Sequence, residues 1–312
     1  MQRVLFVSKC IKKNFSFLMK KIYFFLLILI AHSQISFAQL DHEFIGAIKL
    51  NDSTVISYLL NFSEKDGEVT GYSITDLLGP DETKNMIVGK YDPQTKDFFF
   101  KENDIEYTKS TYLQEDFCYV NFQGKLKLSN KSSFIKGNFK GLFENDQACI
   151  DGEIHLIGSE QLYIKLNKLD NKIAKSKRID SISKSKVSFV KMLDSIKTNS
   201  LKEGENTSVF WNSNKLAIEI WDAGKEDGDI ISIYVDGKLV LDKFMISHTP
   251  KSIEVDLPKK LTEIRIDANN VGKIAPNTAN IKLFDSNKTI DLFTDLSYRK
   301  STTITVVKRR PG

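Results

Sequence analysis

One short pattern, apolar-x-Gly-x-apolar, recurs through the first half of the chain. It appears at Phe44-Ile45-Gly46-Ala47-Ile48, Ile87-Val88-Gly89-Lys90-Tyr91, Ile135-Lys136-Gly137-Asn138-Phe139 and Ile150-Asp151-Gly152-Glu153-Ile154. Glycine inside a strand weakens it unless a bulge, a tight bend or a close backbone approach requires it, and closing a sheet on itself requires such bends. Around these repeats the residues alternate or are rich in β-branched and aromatic types, as in Thr54–Phe62, Val69–Ile74, Asp97–Phe100, Ile105–Thr108 and Phe117–Phe122. Asp66-Gly67 has hairpin chemistry, because Gly tolerates positive φ. Residues 39–160 are therefore expected to form about eight or nine short strands in an antiparallel meander, closed as a small barrel or sandwich.

In rhythm alone this segment looks like an avidin- or lipocalin-style barrel. It has no family motif, so no ligand site follows. Such barrels either hold a small ligand or are filled by their own side chains.

Residues 161–203 change character. Leu166, Leu169 and Ile173, and then Phe189, Leu193 and Ile196, fall at helical spacing. This predicts one long or two short helices in a basic connector, with 4 acids and 11 bases. Strand patterns return over 204–312: Leu216–Trp221, Ile230–Val235, a turn at Asp236-Gly237, Ser252–Leu257, Thr262–Asp267, Ala279–Phe284, Thr289–Phe293 and Thr302–Val307. Alternation such as Ile253-Glu254-Val255-Asp256-Leu257 places one face inside and one in water, as in a β-sandwich. Lys308-Arg309-Arg310 is expected to fray. The fold class expected is all-β: an N-terminal antiparallel meander barrel or sandwich, a short helical connector and a C-terminal β-sandwich.

Residues 1–38 carry six bases and no acid, and the remaining 39 bases and 40 acids leave a net charge of −1. Without that leader, nothing in the charge points to nucleic acid. Lys20-Lys21, the apolar run 22–31 and Ser36-Phe37-Ala38 before Gln39 have the order of a secretory signal peptide, cleaved after Ala38. The apolar run is too short to span a bilayer, which takes about 20 residues. Translation can begin at Met1 or at Met19. The expected location is secreted or periplasmic, in a bacterium to judge by 39 Lys against six Arg. Cys118 and Cys149 then remain as an even pair in an oxidising compartment, a disulfide or else two buried thiols.

One constellation carries chemistry. Trp221-Asp222-Ala223-Gly224-Lys225-Glu226-Asp227-Gly228-Asp229 places four carboxylates on a loop between two strands. Crowded like charges favour a screening cation, and hard oxygens with glycine-permitted turns suit Ca²⁺. Asp222, Asp227 and Asp229 are the candidate ligands, although the spacing is not that of an EF-hand. Asn270 and Asn277, on a second Asn/Gly/Pro loop, could complete the site. The alternative is a solvated acidic turn.

The stretch I-x-I-W-D-A-G-K-E-D-G-D-I-I-S-I-Y-V-D-G-K, followed by P-N-T-A-N-I-K-L, resembles a β-sandwich module of secreted bacterial proteins. It is also loosely similar to calcium-dependent carbohydrate-binding modules, over roughly 205–308. The resemblance implies Ca²⁺ at Asp222, Asp227 and Asp229, a glycan ligand and no catalytic residue. Trp211, Trp221 and Tyr234 are the candidate sugar-stacking aromatics, with core packing as the commoner fate of a strand aromatic.

His42, His155 and His248 lie apart, and G-x-S-x-G, P-loop and H-E-x-x-H motifs are missing. A spatial pair of carboxylates for glycoside hydrolysis is left open. The function expected is non-enzymatic recognition of an extracellular glycan or cell-envelope polymer. Envelope assembly through protein contacts and small-ligand carriage in the first barrel are the alternatives.

Overall fold

Successive hairpins join Asp41–Leu50 (β1), Val55–Lys65 (β2), Glu68–Thr75 (β3), Thr83–Tyr91 (β4), Asp97–Thr108 (β5), Tyr119–Lys127 (β6), Phe134–Leu142 (β7) and Ala148–Gly158 (β8). The computed structural model describes residues 41–112, 114–129, 132–176, 199–222 and 224–309. The expected leader and the stretch holding Phe189, Leu193 and Ile196 lie outside them. Each strand pairs antiparallel with the next, and β8 returns to β1. The meander is thus a closed, up-and-down barrel of eight strands.

Alternate side chains fill its interior. Phe62 touches Phe98 at 5.1 Å between ring centroids, and Phe98 and Phe100 lie 6.0 and 5.0 Å from Phe122. Fully burying each such ring contributes roughly 1.5–3 kcal/mol. Two of the repeat glycines make room for this packing. A Cβ on Gly137 would lie 2.8 Å from Phe122 Cζ, and one on Gly152 would lie 2.7 Å from a ring carbon of Phe139. Outside, β6 to β8 expose Lys125, Lys127, Lys136, Lys140, Glu153 and His155. A lipid-facing barrel would carry an apolar band there. Among the described residues, no helix is long and apolar enough to cross a membrane.

Cys118 and Cys149 form a disulfide, with their Cα atoms 6.1 Å apart. It passes over Gly141 of β7, where a side chain would strike both sulfurs. Joining residues 31 apart restricts the unfolded chain by about 3 kcal/mol. Replacing both cysteines by serine should lower the urea midpoint accordingly, and non-reducing peptide mapping should recover the 118–149 link. Two alkylatable thiols in exported protein would contradict it.

A helix, α1 (Ser159–Lys175), follows β8 directly. It starts earlier than the periodicity predicts and is more than a solvated spacer. Leu162 and Leu166 cover the outward-facing Ile45, Leu59 and Ile74 of the barrel wall, whereas Leu169 is 40% exposed.

The remaining strands are Ser200–Lys202 (β9), Asn206–Trp211 (β10), Lys215–Trp221 (β11), Ile230–Val235 (β12), Lys238–Met245 (β13), Lys251–Asp256 (β14), Leu261–Ala268 (β15), Asn277–Phe284 (β16), Thr289–Leu296 (β17) and Ser301–Lys308 (β18). One sheet runs β14-β11-β16-β17-β9. The other, β13-β12-β15-β18-β10, continues through β10 into β5 of the barrel. The inward residues of both sheets, among them Leu216, Ile218, Ile233, Ile266, Ile281 and Ile304, share one core.

The link between barrel and sheets is short. Ser208 and Val209 pair with Thr108 and Tyr107, so the far end of β5 belongs to the second core. Lys109 Nζ bridges Glu82 at 3.3 Å and Glu205 at 3.1 Å beside it. Residues from Asp41 onward consequently form one compact unit. The expected fraying at 308 does not occur as far as 309. Lys308 ends β18, the Arg309 amide donates to the Trp211 carbonyl at 2.9 Å, and its guanidinium pairs with Asp104.

Candidate functional site

The loop from β11 to β12 and the loop from β15 to β16 are tied into one knot, and its ties are the side chains that the sequence singles out. The Ile274 amide donates to Asp227 Oδ2 at 2.9 Å, and the Thr278 amide donates to Asp229 Oδ2 at 2.8 Å. Asp222 Oδ1 accepts from the Gly224 amide at 2.7 Å. Asn270 works in both directions: its Oδ1 accepts from the Ile230 amide and its Nδ2 donates to the Gly228 carbonyl, each at 2.7 Å. Asn277 Nδ2 donates to the carbonyls of Ile230 and Asn270 at 3.1 and 3.0 Å. Gly228 sits at φ +94°, a left-handed conformation that lets Asp227 and Asp229 flank a sharp turn.

Each of these residues except Asn270 keeps an oxygen in reserve. Asp227 Oδ1, Asp229 Oδ1 and Asn277 Oδ1 are buried and accept no hydrogen bond, and only one oxygen of Asp222 is engaged by Gly224. Asp229 is 2% exposed and Asn277 is fully buried. Burial pushes the Asp229 carboxyl up to about 6; the Thr278 amide opposes this, and the negative charges of Asp227 and Asp222 add to it. Unpaired buried oxygens under mutual repulsion are costly, and a cation or protons relieve them. Among the described residues, no three His, Cys, Asp or Glu side chains are gathered into a ready metal cage. The reserve set is mixed, with carboxylates and one amide. Asn270 has both polar atoms committed to the loop, so its part is positioning.

His248 and Glu226 also join the knot, the His248 amide donating to Glu226 Oε1 at 2.5 Å and His248 Nε2 lying 2.9 Å from the Gly224 carbonyl. The sequence carries no sign of this, because Ser247-His248-Thr249-Pro250 reads as an ordinary turn.

The three candidate aromatics separate. Trp211 is fully buried, with its indole N–H donating to the Lys215 carbonyl at 3.1 Å, and this corrects its assignment as a sugar platform. Tyr234 lies on the outer side of the large sheet beneath Arg265, 4.3 Å from its ring centroid. Trp221 alone stands beside the knot. Leu216, Ile218 and Ile220 of β11 point into the core, so Trp221 points out.

Strand register puts Trp221 opposite Asn280 and Asn280 opposite Phe293. The row is aromatic, amide, aromatic, with the rings two strand spacings or about 10 Å apart. Phe284 and Lys282 share that partly exposed face, and Lys282 Nζ lies 5.4 Å from the Trp221 ring. Glu219 and Lys282 are directly opposite one another, so opposite charges adjoin along the row. Phe293 and Asn280 escape sequence reading, since only the pairing of β16 with β17 brings them to Trp221.

Comparison with protein-family models, curated proteins and solved structures finds no match to the chain.

Proposed function

We propose that this is a non-enzymatic extracellular binding protein that recognises a glycan or cell-envelope polymer. The observation that carries the reading is the Trp221–Asn280–Phe293 row on an outer sheet face next to the acidic knot. Aromatic faces stack on the C–H surfaces of sugars, and an amide between them can donate to and accept from hydroxyls. Adjoining opposite charges suit a neutral polyhydroxylated chain better than a highly charged one. The reserve oxygens of Asp227, Asp229 and Asn277, with Asp222, are the proposed Ca²⁺ ligands, and the ion would stiffen the loop that follows Trp221. Carriage in the first barrel fits less well, because interlocked phenylalanine rings occupy its interior.

A pull-down against insoluble polysaccharides and isolated cell envelopes tests the reading. The intact protein should be depleted by at least one of them, and Trp221→Ala should reduce the depletion about tenfold, the size expected for an anchoring aromatic worth about 1.4 kcal/mol or more. Equal depletion of the variant would place recognition elsewhere.

A further inference from the structure

Where the barrel meets the sheets there is a cleft of two chambers that share Gln114, Glu144 and Arg309. The larger, of about 700 Å³, lies between the β5–β6 connection and the outer side of β10, β18 and β15. Its apolar floor is fixed by register, since Val307 faces Leu261, while Phe210 on the other side of Val307 is itself buried against Ile105 and Tyr119. Leu261 is 54% exposed, and Tyr112 at the rim is 67% exposed. The smaller chamber, of about 240 Å³, is lined by polar groups of both signs, including Lys101, Asn103, Asp104, Asn121 and Asp146. At the divide, Arg309 engages Asp104 and the Ile105 carbonyl through one nitrogen, while its Nε is buried without a partner.

We propose that this cleft binds an amphipathic glycoside, with its apolar portion on Val307, Leu261 and Tyr112 and its sugar head in the polar chamber. An apolar floor continuing into a mixed set of donors and acceptors calls for a ligand with the same two halves. The polar chamber sets Glu102, Asp104, Glu144 and Asp146 against Lys101 and Arg309, so its excess of acids disfavours a carboxylate or phosphate, and Asn103, Gln114 and Asn121 suit an uncharged hydroxyl-rich head. A groove between two structural modules is also a common place for a small-molecule site.

Saturation-transfer NMR on the full mature protein, with octyl β-D-glucoside held below its micelle concentration, tests this. Ring and chain protons should both receive saturation, with saturable binding. Glucose and sodium octanoate should each bind at least about tenfold more weakly, the loss of about 1.4 kcal/mol from missing half the contacts. Leu261→Asp, at an exposed position, should weaken binding by a similar factor, and Asn103→Ala should reduce transfer to the ring protons. Trp221→Ala should leave this binding unchanged, which separates it from recognition at the sheet face. Failure to saturate, equal affinity for octanoate, or an unaffected Leu261→Asp variant would overturn the proposal.

Discussion

Replacing Glu102 by alanine is expected to cost about 3–5 kcal/mol, since each buried donor left without an acceptor costs about 1–3 kcal/mol and a cavity adds to that. Glu102 lies inside the barrel at 5% exposure. Its Oε1 accepts from the Tyr58 hydroxyl at 2.8 Å and the Ser73 hydroxyl at 2.5 Å, and its Oε2 accepts from the Val120 amide at 2.8 Å. Burial raises its pKa, and these donors oppose the rise. Alanine would leave three buried donors from β2, β3 and β6 without an acceptor, together with a cavity. Glu102→Gln keeps the volume and one acceptor oxygen, so it should recover part of the loss. Urea unfolding followed by circular dichroism measures both. A midpoint for Glu102→Ala close to that of the parent would show that water serves these donors.

The second large effect is expected at the knot. An ion that binds only the folded chain adds about 2.7 kcal/mol at 100 times its Kd. For a unit of this size that raises Tm by roughly 5–10 °C, and EDTA should abolish the gain. Mg²⁺ should restore little of it, being intolerant of irregular cages.

The pH dependence has a definite sign. The folded Asp229 carboxyl lies near 6, above the ordinary aspartate value of about 3.9. Without the ion, its contribution therefore favours folding below that ordinary value. Stability is lost as pH rises from about 4 to 6, by up to about 3 kcal/mol. Ca²⁺ should reverse the loss above pH 6 and do little at pH 5, where it must displace a proton. Asp229→Asn keeps an acceptor for the Thr278 amide, so it should flatten the pH profile and remove the Ca²⁺ response. Coincident melting curves with Ca²⁺ and with EDTA at pH 7.5 would instead make the knot a self-sufficient hydrogen-bonded clasp.

The barrel is legible because its contacts are local. Each strand pairs with its neighbour, and glycines that repeat in sequence recur where the neighbouring strand's backbone or a phenylalanine ring leaves no room for a Cβ. Pairings between distant segments are not legible: the parallel pairs β10–β18 and β9–β17, and the join of β10 to β5. That join also hides the fate of Trp211. In β10 both Phe210 and Trp211 are buried, because the barrel covers one side and the second core the other, so alternation gives no sign of a wet face. β11 is covered on one side, and there Trp221 falls on the uncovered face, a choice that alternation in the sequence leaves open. The Asp and Asn residues of the knot stand out by composition, yet their hydrogen bonds to the backbone of the opposite loop, 40 or more positions away, emerge only in the fold.

The chain has two tryptophans, and Trp211 is sealed in the core. Any change in tryptophan emission on adding a ligand to the folded protein therefore reports chiefly on Trp221. Titration with soluble oligosaccharides prepared from a polymer that captures the protein is the most direct test of recognition at this face. The expected result is a saturable shift in emission, absent in Trp221→Phe and weakened in Phe293→Ala. Binding that persists by calorimetry with no change in emission, and at equal affinity in both variants, would contradict it.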